Sequence, residues 1–339
     1  MITSKTKLAV VAASALALAV TSQAQMAMPA LSTTGFALGS YQHASGAADD
    51  RLNIDGAMIK FDATYKPVEG VVSLYYVPNS QVGTSGDIHL QDAYANVDVG
   101  SGWTVSAGRY LSWMGYESFY SINNPEITGG YLNEANIIAG YEEGVRAFYT
   151  DKDWNGGVSI EDSALNSPSA PYAGDGELKH DYGAEGYLSY TGIKDNTAWF
   201  GISYDSKDKF TGVHAQETYD LWDQYQLNKE TYVAAELAYH DGDTTDVLGD
   251  ALSWLVLVDY TFTDNVSAAF RVGGDENHHA TGLPDDTKYT IAPTYTVNKN
   301  FSVRAELSYV DHASLVNGNV VATAGKDETT YGLQAVFKF

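Results

Sequence analysis

The feature that most constrains the fold is a hairpin pattern repeated along nearly the whole chain. Short polar turns rich in Gly, Asn and Asp are flanked by segments of about ten residues with strand character. The short turns fall at 67–70, 100–102, 151–155, 192–196, 227–230, 263–265 and 297–300. Longer connections fall at 43–52, 79–86, 111–140, 164–180, 206–212, 242–250, 274–286 and 313–327. Seven short turns and eight long loops predict sixteen antiparallel strands; fourteen is the alternative, because the first hairpin and the 206–226 region are weakly patterned.

Several of these strands alternate with a period of two. In 300–310, one face carries Phe301, Val303, Ala305, Leu307 and Tyr309, and the other carries Ser302, Arg304, Glu306 and Ser308. In 252–262 the polar face of Ser253 and Asp259 is interrupted by Leu255 and Leu257. The apolar face is the core side of a soluble sheet or the lipid side of a membrane barrel, and periodicity alone leaves both open.

The last strand favours the barrel. In 331–339 the apolar or aromatic residues alternate with Gly, Gln, Val and Lys, and the chain stops on Phe339 two residues after Phe337. This ending resembles the C-terminal strand of bacterial outer-membrane barrels, in which a terminal Phe implies recognition by the barrel assembly machinery. We expect this strand to pair with 300–311 on one side and with the first strand on the other, where Phe36 and Leu38 are predicted to face lipid.

The N-terminal segment predicts export. Lys5 and Lys7 precede an apolar run from 8 to 20, and Ser22-Gln23-Ala24 offers small residues for a signal peptidase. We predict a signal peptide at 1–24 and a barrel domain at 25–339, with an uncleaved anchor as the alternative. No later apolar run reaches the roughly 18–20 residues of a transmembrane helix, so a membrane-spanning form must be a closed barrel.

Composition narrows the function classes. The 339 residues carry 19 Lys+Arg against 43 Asp+Glu, a net charge of −24, which argues against nucleic acid as a partner. There is no cysteine, which excludes disulfides and thiol chemistry. Tyrosine, at 25, outnumbers Phe and Trp together, as is typical of membrane interfaces. The fold class predicted is an all-β transmembrane antiparallel β-barrel in the outer membrane of a Gram-negative bacterium, with short periplasmic turns and long external loops.

Residues 90–150 carry a distinctive set of motifs. They are Gln91-Asp-Ala-Tyr94, Ser106-Ala-Gly-Arg-Tyr110, Gly115-Tyr-Glu117, an Asn-rich loop at 121–125 and Gly144-Val-Arg146. This stretch resembles the β-barrel porin-2 family, also described as OmpL-like, although Arg109-Tyr110 stands where Lys-Phe is commoner. The resemblance implies an outer-membrane barrel of porin type and leaves the solute undefined.

The longest loop, 111–140, is too aromatic to be expected in open solvent. We predict that it folds into the barrel and narrows the pore, with Trp113 and Tyr116 in the constriction. In this hypothesis Glu117 and Glu134 face lumen cations such as Arg109 and Arg146. A loop packed over the rim, or against a neighbouring subunit, is the alternative.

The predicted function is a water-filled channel for small hydrophilic solutes or ions, with cations favoured. The side chains predicted to line the pore are Lys60, Arg109, Arg146, Glu185, Glu236, Asp259, Arg271, Arg304 and Glu306. The alternative is a structural or adhesive barrel with an occluded lumen and partner-binding external loops.

No motif predicts catalysis, a cofactor or a metal site. Gly-x-Ser-x-Gly and His-Glu-x-x-His are absent from the sequence. The acidic residues near Asp241, Asp246 and Asp285 lack calcium-loop spacing. The partners expected are membrane lipid, lipopolysaccharide, the assembly machinery and small hydrophilic solutes; a homotrimer and a monomer both remain open.

Overall fold

A computed structural model describes residues 29–45, 51–77, 87–129, 140–163, 182–206, 215–242, 250–277, 286–312 and 327–339. These residues form one closed barrel of sixteen strands, in which each strand pairs with its neighbours in the chain and β16 returns to β1. All pairings are antiparallel. The strands are β1 Ala30–Ala44, β2 Arg51–Tyr65, β3 Val68–Val77, β4 Asp87–Gly100, β5 Trp103–Leu111, β6 Tyr141–Thr150, β7 Trp154–Glu161, β8 Gly183–Tyr190, β9 Asn196–Asp205, β10 Gln216–Gln226, β11 Thr231–Asp241, β12 Ala251–Thr263, β13 Val266–Asn277, β14 Asp286–Asn298, β15 Phe301–His312 and β16 Glu328–Lys338.

The hairpin pattern of the sequence is confirmed. The strands are sixteen rather than fourteen, and the short turns and long loops alternate along the chain where the turn residues predicted them. Both weakly patterned regions contribute full strands, β1, β2 and β10. In the described part of the chain, no helix is long and apolar enough to cross a membrane.

The last strand closes the barrel as predicted. β16 pairs with β15 on one side and with β1 on the other. Phe339 and Gly35 exchange two backbone hydrogen bonds, each with an N···O distance of 3.0 Å. Because lipid offers no hydrogen-bond partners, this closure pairs backbone groups that an open sheet would leave exposed.

Aromatic rings exposed on the outer face collect at two levels. Near the short turns these are Trp103, Trp154, Tyr225, Tyr260, Phe262, Tyr295, Phe337 and Phe339. Near the long loops they are Tyr219, Tyr239, Tyr289, Tyr309 and Tyr331. Between the two levels, exposed positions are aliphatic or Phe, including Leu221, Leu237, Val256, Phe270, Ile291, Leu307 and Leu333. An apolar band between two aromatic girdles is the surface of a barrel that spans a membrane.

The prediction that Phe36 and Leu38 face lipid is wrong. Both are buried on the inner face, where they pack with Tyr120 and Ile122 of the β5–β6 connection. Their neighbour Ala37 pairs with the exposed Phe337 and so lies on the outer face. The period of two identifies the apolar face of a strand. It does not say whether that face contacts lipid or a loop that fills part of the lumen.

Gly35 makes room for the terminal ring, and this gives a test of closure. A Cβ at Gly35 would lie 2.4 Å from the Met58 carbonyl oxygen and 2.5 Å from Cζ of Phe339. We expect Gly35→Ala to cost about 1–3 kcal/mol of folding free energy through overpacking, measured by urea unfolding of the refolded barrel. Gly39→Ala is the matched control on the same strand, because its Cβ would lie 3.5 Å from the nearest atom. Equal effects of the two variants would contradict this account of the closing contact.

Candidate functional site

The first half of the β5–β6 connection is held by carboxylates of the barrel wall. We call residues 112–129 the inner loop. The Ser112 hydroxyl donates to Glu185 on β8. The backbone N–H groups of 113, 115 and 116 then donate to carboxylates on β8, β10 and β11: Glu185 at 3.1 Å, Asp220 at 2.8 Å and Glu236 at 2.6 Å. Hydrogen bonds to charged groups are stronger than neutral ones, so these wall positions fix the path of the loop.

The second half of the inner loop is held mainly by cations. Its backbone carbonyls accept hydrogen bonds from side chains of β13 to β16: Ser121 and Glu126 from Arg304 at 3.0 and 2.6 Å, Ile122 from Lys338 at 3.2 Å, Thr128 from Arg271 at 3.0 Å, and Gly129 from Lys288 at 3.2 Å. Glu306 reverses the pattern by accepting the N–H groups of Ile127 and Thr128 at 2.5 and 3.1 Å. The loop therefore reaches the wall opposite the point where it begins to bind.

These contacts place the inner loop across the lumen. In a ring of sixteen strands, β8 and β16 stand half a turn apart, and the loop is bonded to both. The ring of Tyr120 also lies against Phe36 of β1 and Tyr75 of β3, with centroid distances of 5.5 and 5.3 Å. Two wall partners of the inner loop, Arg304 and Lys338, lie near the short-turn ends of β15 and β16, so the segment lies inside the barrel rather than over the rim of the long loops.

Apolar contacts supplement the polar ones. Trp113 packs against Tyr187, with ring centroids 4.7 Å apart, and Tyr116 packs edge-on against Trp222 at 5.5 Å. Tyr116 also covers an apolar patch of the inner wall built from Ala234, Leu255, Leu257, Ala269 and Ala292. Leu255 and Leu257, which interrupt the polar face of β12 in the sequence, therefore form part of the surface against which Tyr116 packs.

A buried ion pair joins the middle of the loop to β13. A carboxylate oxygen of Glu117 accepts from Arg271, and both side chains are almost fully buried. A Glu126 oxygen lies 4.0 Å from the same guanidinium nitrogen. Burial raises the pKa of the Glu126 carboxyl to about 7, and Arg271 limits the rise. The predicted pairing of Glu117 with Arg109 and Arg146 is therefore wrong, because Arg271 occupies that role; Glu134 lies outside the described residues.

Five of the nine predicted wall residues form hydrogen bonds with the inner loop, and Arg146 lies over the ring of Trp113 in that loop. The five are Glu185, Glu236, Arg271, Arg304 and Glu306. Lys60, on the inner face of β2, lies 3.8 Å from Asp62. Asp259, on the inner face of β12, is half-buried, and its Oδ1 has no hydrogen-bond partner within the described ranges.

The two remaining arginines lie where the loop leaves and rejoins the wall. Arg109 is 3.4 Å from Glu143, and its guanidinium lies over the Tyr141 ring. It follows Gly108, whose φ is 129°, with no shift of register on that part of β5. Arg146 lies over the ring of Tyr110, 4.0 Å from its centroid, and donates to a backbone carbonyl at the end of β5.

Sequence reasoning missed Asp220 and Lys288. Asp220 is fully buried on the inner face of β10, between outward Tyr219 and Leu221. The signal was present, since Thr218, Asp220 and Trp222 alternate with these outward residues. It was hidden because this strand has few aliphatic side chains on its lipid face.

Charges on the inner wall are distributed unevenly by sign, although Arg146 lies on the carboxylate side and Asp275 and Glu306 lie on the cation side. Carboxylates occupy one side, on β6, β7, β8, β10 and β11: Glu142, Glu161, Glu185, Asp220 and Glu236. Cations gather on β13 to β16: Arg271, Lys288, Arg304 and Lys338. The inner loop lies between the two groups. Such an arrangement produces a field across the lumen rather than along it.

A closed sixteen-stranded barrel with a girdled apolar exterior and a charged interior is the architecture of outer-membrane channels. The family model described as "Putative beta-barrel porin-2, OmpL-like" matches residues 32–339, and the chain belongs to this family. The predicted family is thus confirmed.

Solved structures show the same fold at low identity. OmpF of Salmonella typhi, solved with daunomycin, is 13% identical with a TM-score of 0.66, covering 91% of this chain and 97% of that chain. OmpT of Vibrio cholerae is 12% identical with a TM-score of 0.64, covering 93% and 99%. The anion-selective porin from Comamonas acidovorans is 12% identical with a TM-score of 0.64, covering 92% and 100%. Among curated proteins, none matches the sequence significantly.

Replacing Arg271 should lower the free energy of unfolding more than replacing its partner Glu117. Arg271→Met leaves two buried carboxylates facing each other without their cation, and we expect it to cost about 3–5 kcal/mol of unfolding free energy. Glu117→Gln should cost less, because Glu126 remains beside Arg271. Lys60→Met is the control, since its partly exposed pair should contribute about 0–1 kcal/mol. Urea unfolding of the refolded barrels measures all three, and an order other than this one would refute the assignment.

Proposed function

We propose that this protein is a diffusion channel of the outer membrane, through which small hydrophilic solutes and ions pass. The observation that carries the proposal is the inner loop, crossing the lumen and bonded to charged side chains on both walls. Barrels of sixteen strands are wide enough to enclose an aqueous passage. A loop fixed across that passage narrows it to a polar constriction, with Trp113, Tyr116 and Glu117 among its residues. The family and the fold both support a channel function.

Cations should pass more readily than anions. Partly exposed charges on the inner face include the carboxylates of Asp55, Asp62, Glu69 and Asp259, against the ammonium groups of Lys60 and Lys338. The whole chain has a net charge of −24. The anion-selective neighbour shares only the fold at 12% identity, so the selectivity of this chain is argued from its own wall.

The N-terminal and C-terminal segments of the chain are proposed to direct its export and its assembly into the membrane. In this proposal, residues 1–24, which lie outside the described residues, are removed as a signal peptide, and 25–339 form the inserted domain. Phe337 and Phe339 serve as the signal for the barrel assembly machinery, and external loops meet lipopolysaccharide. One neighbouring structure is described as the trimer form of OmpT of Vibrio cholerae, and a homotrimer is the proposed assembly here.

Deleting residues 117–134 tests the constriction. We expect the single-channel conductance in planar bilayers to rise, because the segment that crosses the lumen is removed while the wall strands remain. A deletion of 164–180, in the β7–β8 connection, is the control, since it shortens another long connection and leaves residues 112–129 in place. An unchanged conductance after deletion of 117–134 would remove the proposed role of the inner loop.

Reversal potentials in a KCl gradient test the selectivity. We expect the reversal potential of the unmodified channel to have the sign that a preference for K⁺ over Cl⁻ produces. In the triple variant Asp55→Asn, Asp62→Asn, Glu69→Gln, the reversal potential should shift toward zero. The control removes the same number of charges from the short turns, as Asp153→Asn, Asp195→Asn, Glu230→Gln. Anion preference of the unmodified channel would overturn the proposal of cation selectivity. Failure of the folded protein to release sugars from liposomes would favour the alternative, an adhesive barrel with an occluded lumen.

A further inference from the structure

Three glutamates converge on the inner wall beside the start of the inner loop. Glu142 on β6, Glu161 on β7 and Glu185 on β8 each offer a carboxylate oxygen, and these atoms all lie within 4.8 Å of one another. All three side chains are buried, with exposed fractions of 1%, 0% and 5%. The register explains their meeting: Glu161 pairs with Gly144 and with Gly183. The other two glutamates lie two residues from those glycines, on the same face.

The hydrogen bonds of the described residues leave two of these glutamates without partners, and Arg146, which lies over the Tyr110 ring, supplies one neighbouring positive charge. Glu185 accepts from the Ser112 hydroxyl and the Trp113 N–H. By contrast, neither oxygen of Glu142 nor of Glu161 has a hydrogen-bond partner within the described ranges. Buried carboxylates are costly unless they are paired with cations or coordinate a metal. Proteins tolerate such a group of three oxygens when a cation sits among them.

An independent observation points to a ligand at the same place. The residue Tyr110 is 1% exposed. Its hydroxyl is buried and also lacks a hydrogen-bond partner among the described residues. Tyr110 pairs with Glu142 in the ladder, and its hydroxyl reaches over Gly144, the residue that faces Glu161. A Cβ on Gly144 would lie 2.8 Å from that oxygen. The absence of a side chain at Gly144 thus leaves room for the Tyr110 hydroxyl beside the cluster.

We propose that Glu142, Glu161 and Glu185, with the Tyr110 hydroxyl, bind a divalent cation, and that Ca²⁺ fits best. Ca²⁺ takes oxygen ligands at about 2.3–2.6 Å, so two ligands on opposite sides of it lie roughly 4.8 Å apart. Mg²⁺ requires a tighter and more regular shell, and an all-oxygen donor set does not favour softer metals. The bound ion joins β6, β7 and β8 and, through Glu185, fixes the point where the inner loop leaves the wall.

Sequence analysis predicted no metal because the ligands come from three strands with no loop motif. Their spacing along the chain follows only from the pairing register of β6, β7 and β8. The site is also independent of transport, since the barrel would bind the cation whether or not solutes pass.

Terbium luminescence tests the site. The barrel, refolded in detergent without lipopolysaccharide and treated with a chelator, is titrated with Tb³⁺ while Tyr and Trp are excited; Tyr110 and Trp113 are the expected donors. We expect a tight site occupied by one Tb³⁺ per barrel and emptied by Ca²⁺. The double variant Glu142→Gln, Glu161→Gln should weaken this binding by about tenfold or more, since affinity follows the charge of the ligands.

The matched control removes two other lumen carboxylates, as Glu69→Gln, Asp259→Asn, and should bind Tb³⁺ as the unmodified barrel does. Equal Tb³⁺ affinity in the Glu142/Glu161 variant and the unmodified barrel would overturn the proposal. If that variant does not fold, as judged by heat-shifted mobility on gels, crystals of the unmodified protein soaked in Tb³⁺ decide the question. An anomalous peak among the three carboxylates supports the site, and peaks only elsewhere, or none, contradict it.

Discussion

The structure depends on hydrogen bonding of the backbone N–H and C=O groups, both in the strands of the barrel wall and in the loop inside the lumen. In lipid a sheet satisfies this requirement only by closing, and β16 meets β1 through the double hydrogen bond of Phe339 with Gly35. The inner loop carries the same requirement into the lumen. Besides its internal hydrogen bonds, several of its N–H and C=O groups bind charged side chains of the wall. The charged inner face therefore has a structural role before it has any role in transport.

This requirement also explains the order of charges around the barrel. Amide N–H groups need acceptors and carbonyls need donors. The first half of the loop binds Glu185, Asp220 and Glu236, whereas the second half binds Arg271, Arg304 and Lys338. In the proposed channel, the same side chains would create a field across the lumen. Loop anchoring and solute selection are thus expected to change together when these residues are replaced.

Much of the fold is readable from the sequence because β-hairpins are local. Turn residues and period-two alternation locate all sixteen strands, and the motifs of residues 90–150 indicate the family. The partners of the inner loop are not readable in this way, since Glu117 and Arg271 are 154 positions apart. Phe36 and Leu38 were assigned to the wrong face for a related reason: the loop turns part of the lumen into an apolar core. Apolar residues on the face that is otherwise polar, such as Leu255 and Leu257 on β12, are the sequence signal that a loop packs against the inner wall.

Amide hydrogen exchange tests the central claim, that wall side chains hold the inner loop across the lumen. The amides of Gly115, Tyr116 and Ile127 donate to wall carboxylates. They should exchange as slowly as amides of the neighbouring strands and become fast in the triple variant Asp220→Asn, Glu236→Gln, Glu306→Gln. If these amides in the unmodified barrel exchange as fast as those of the exposed 228–230 turn, the loop is not held as described.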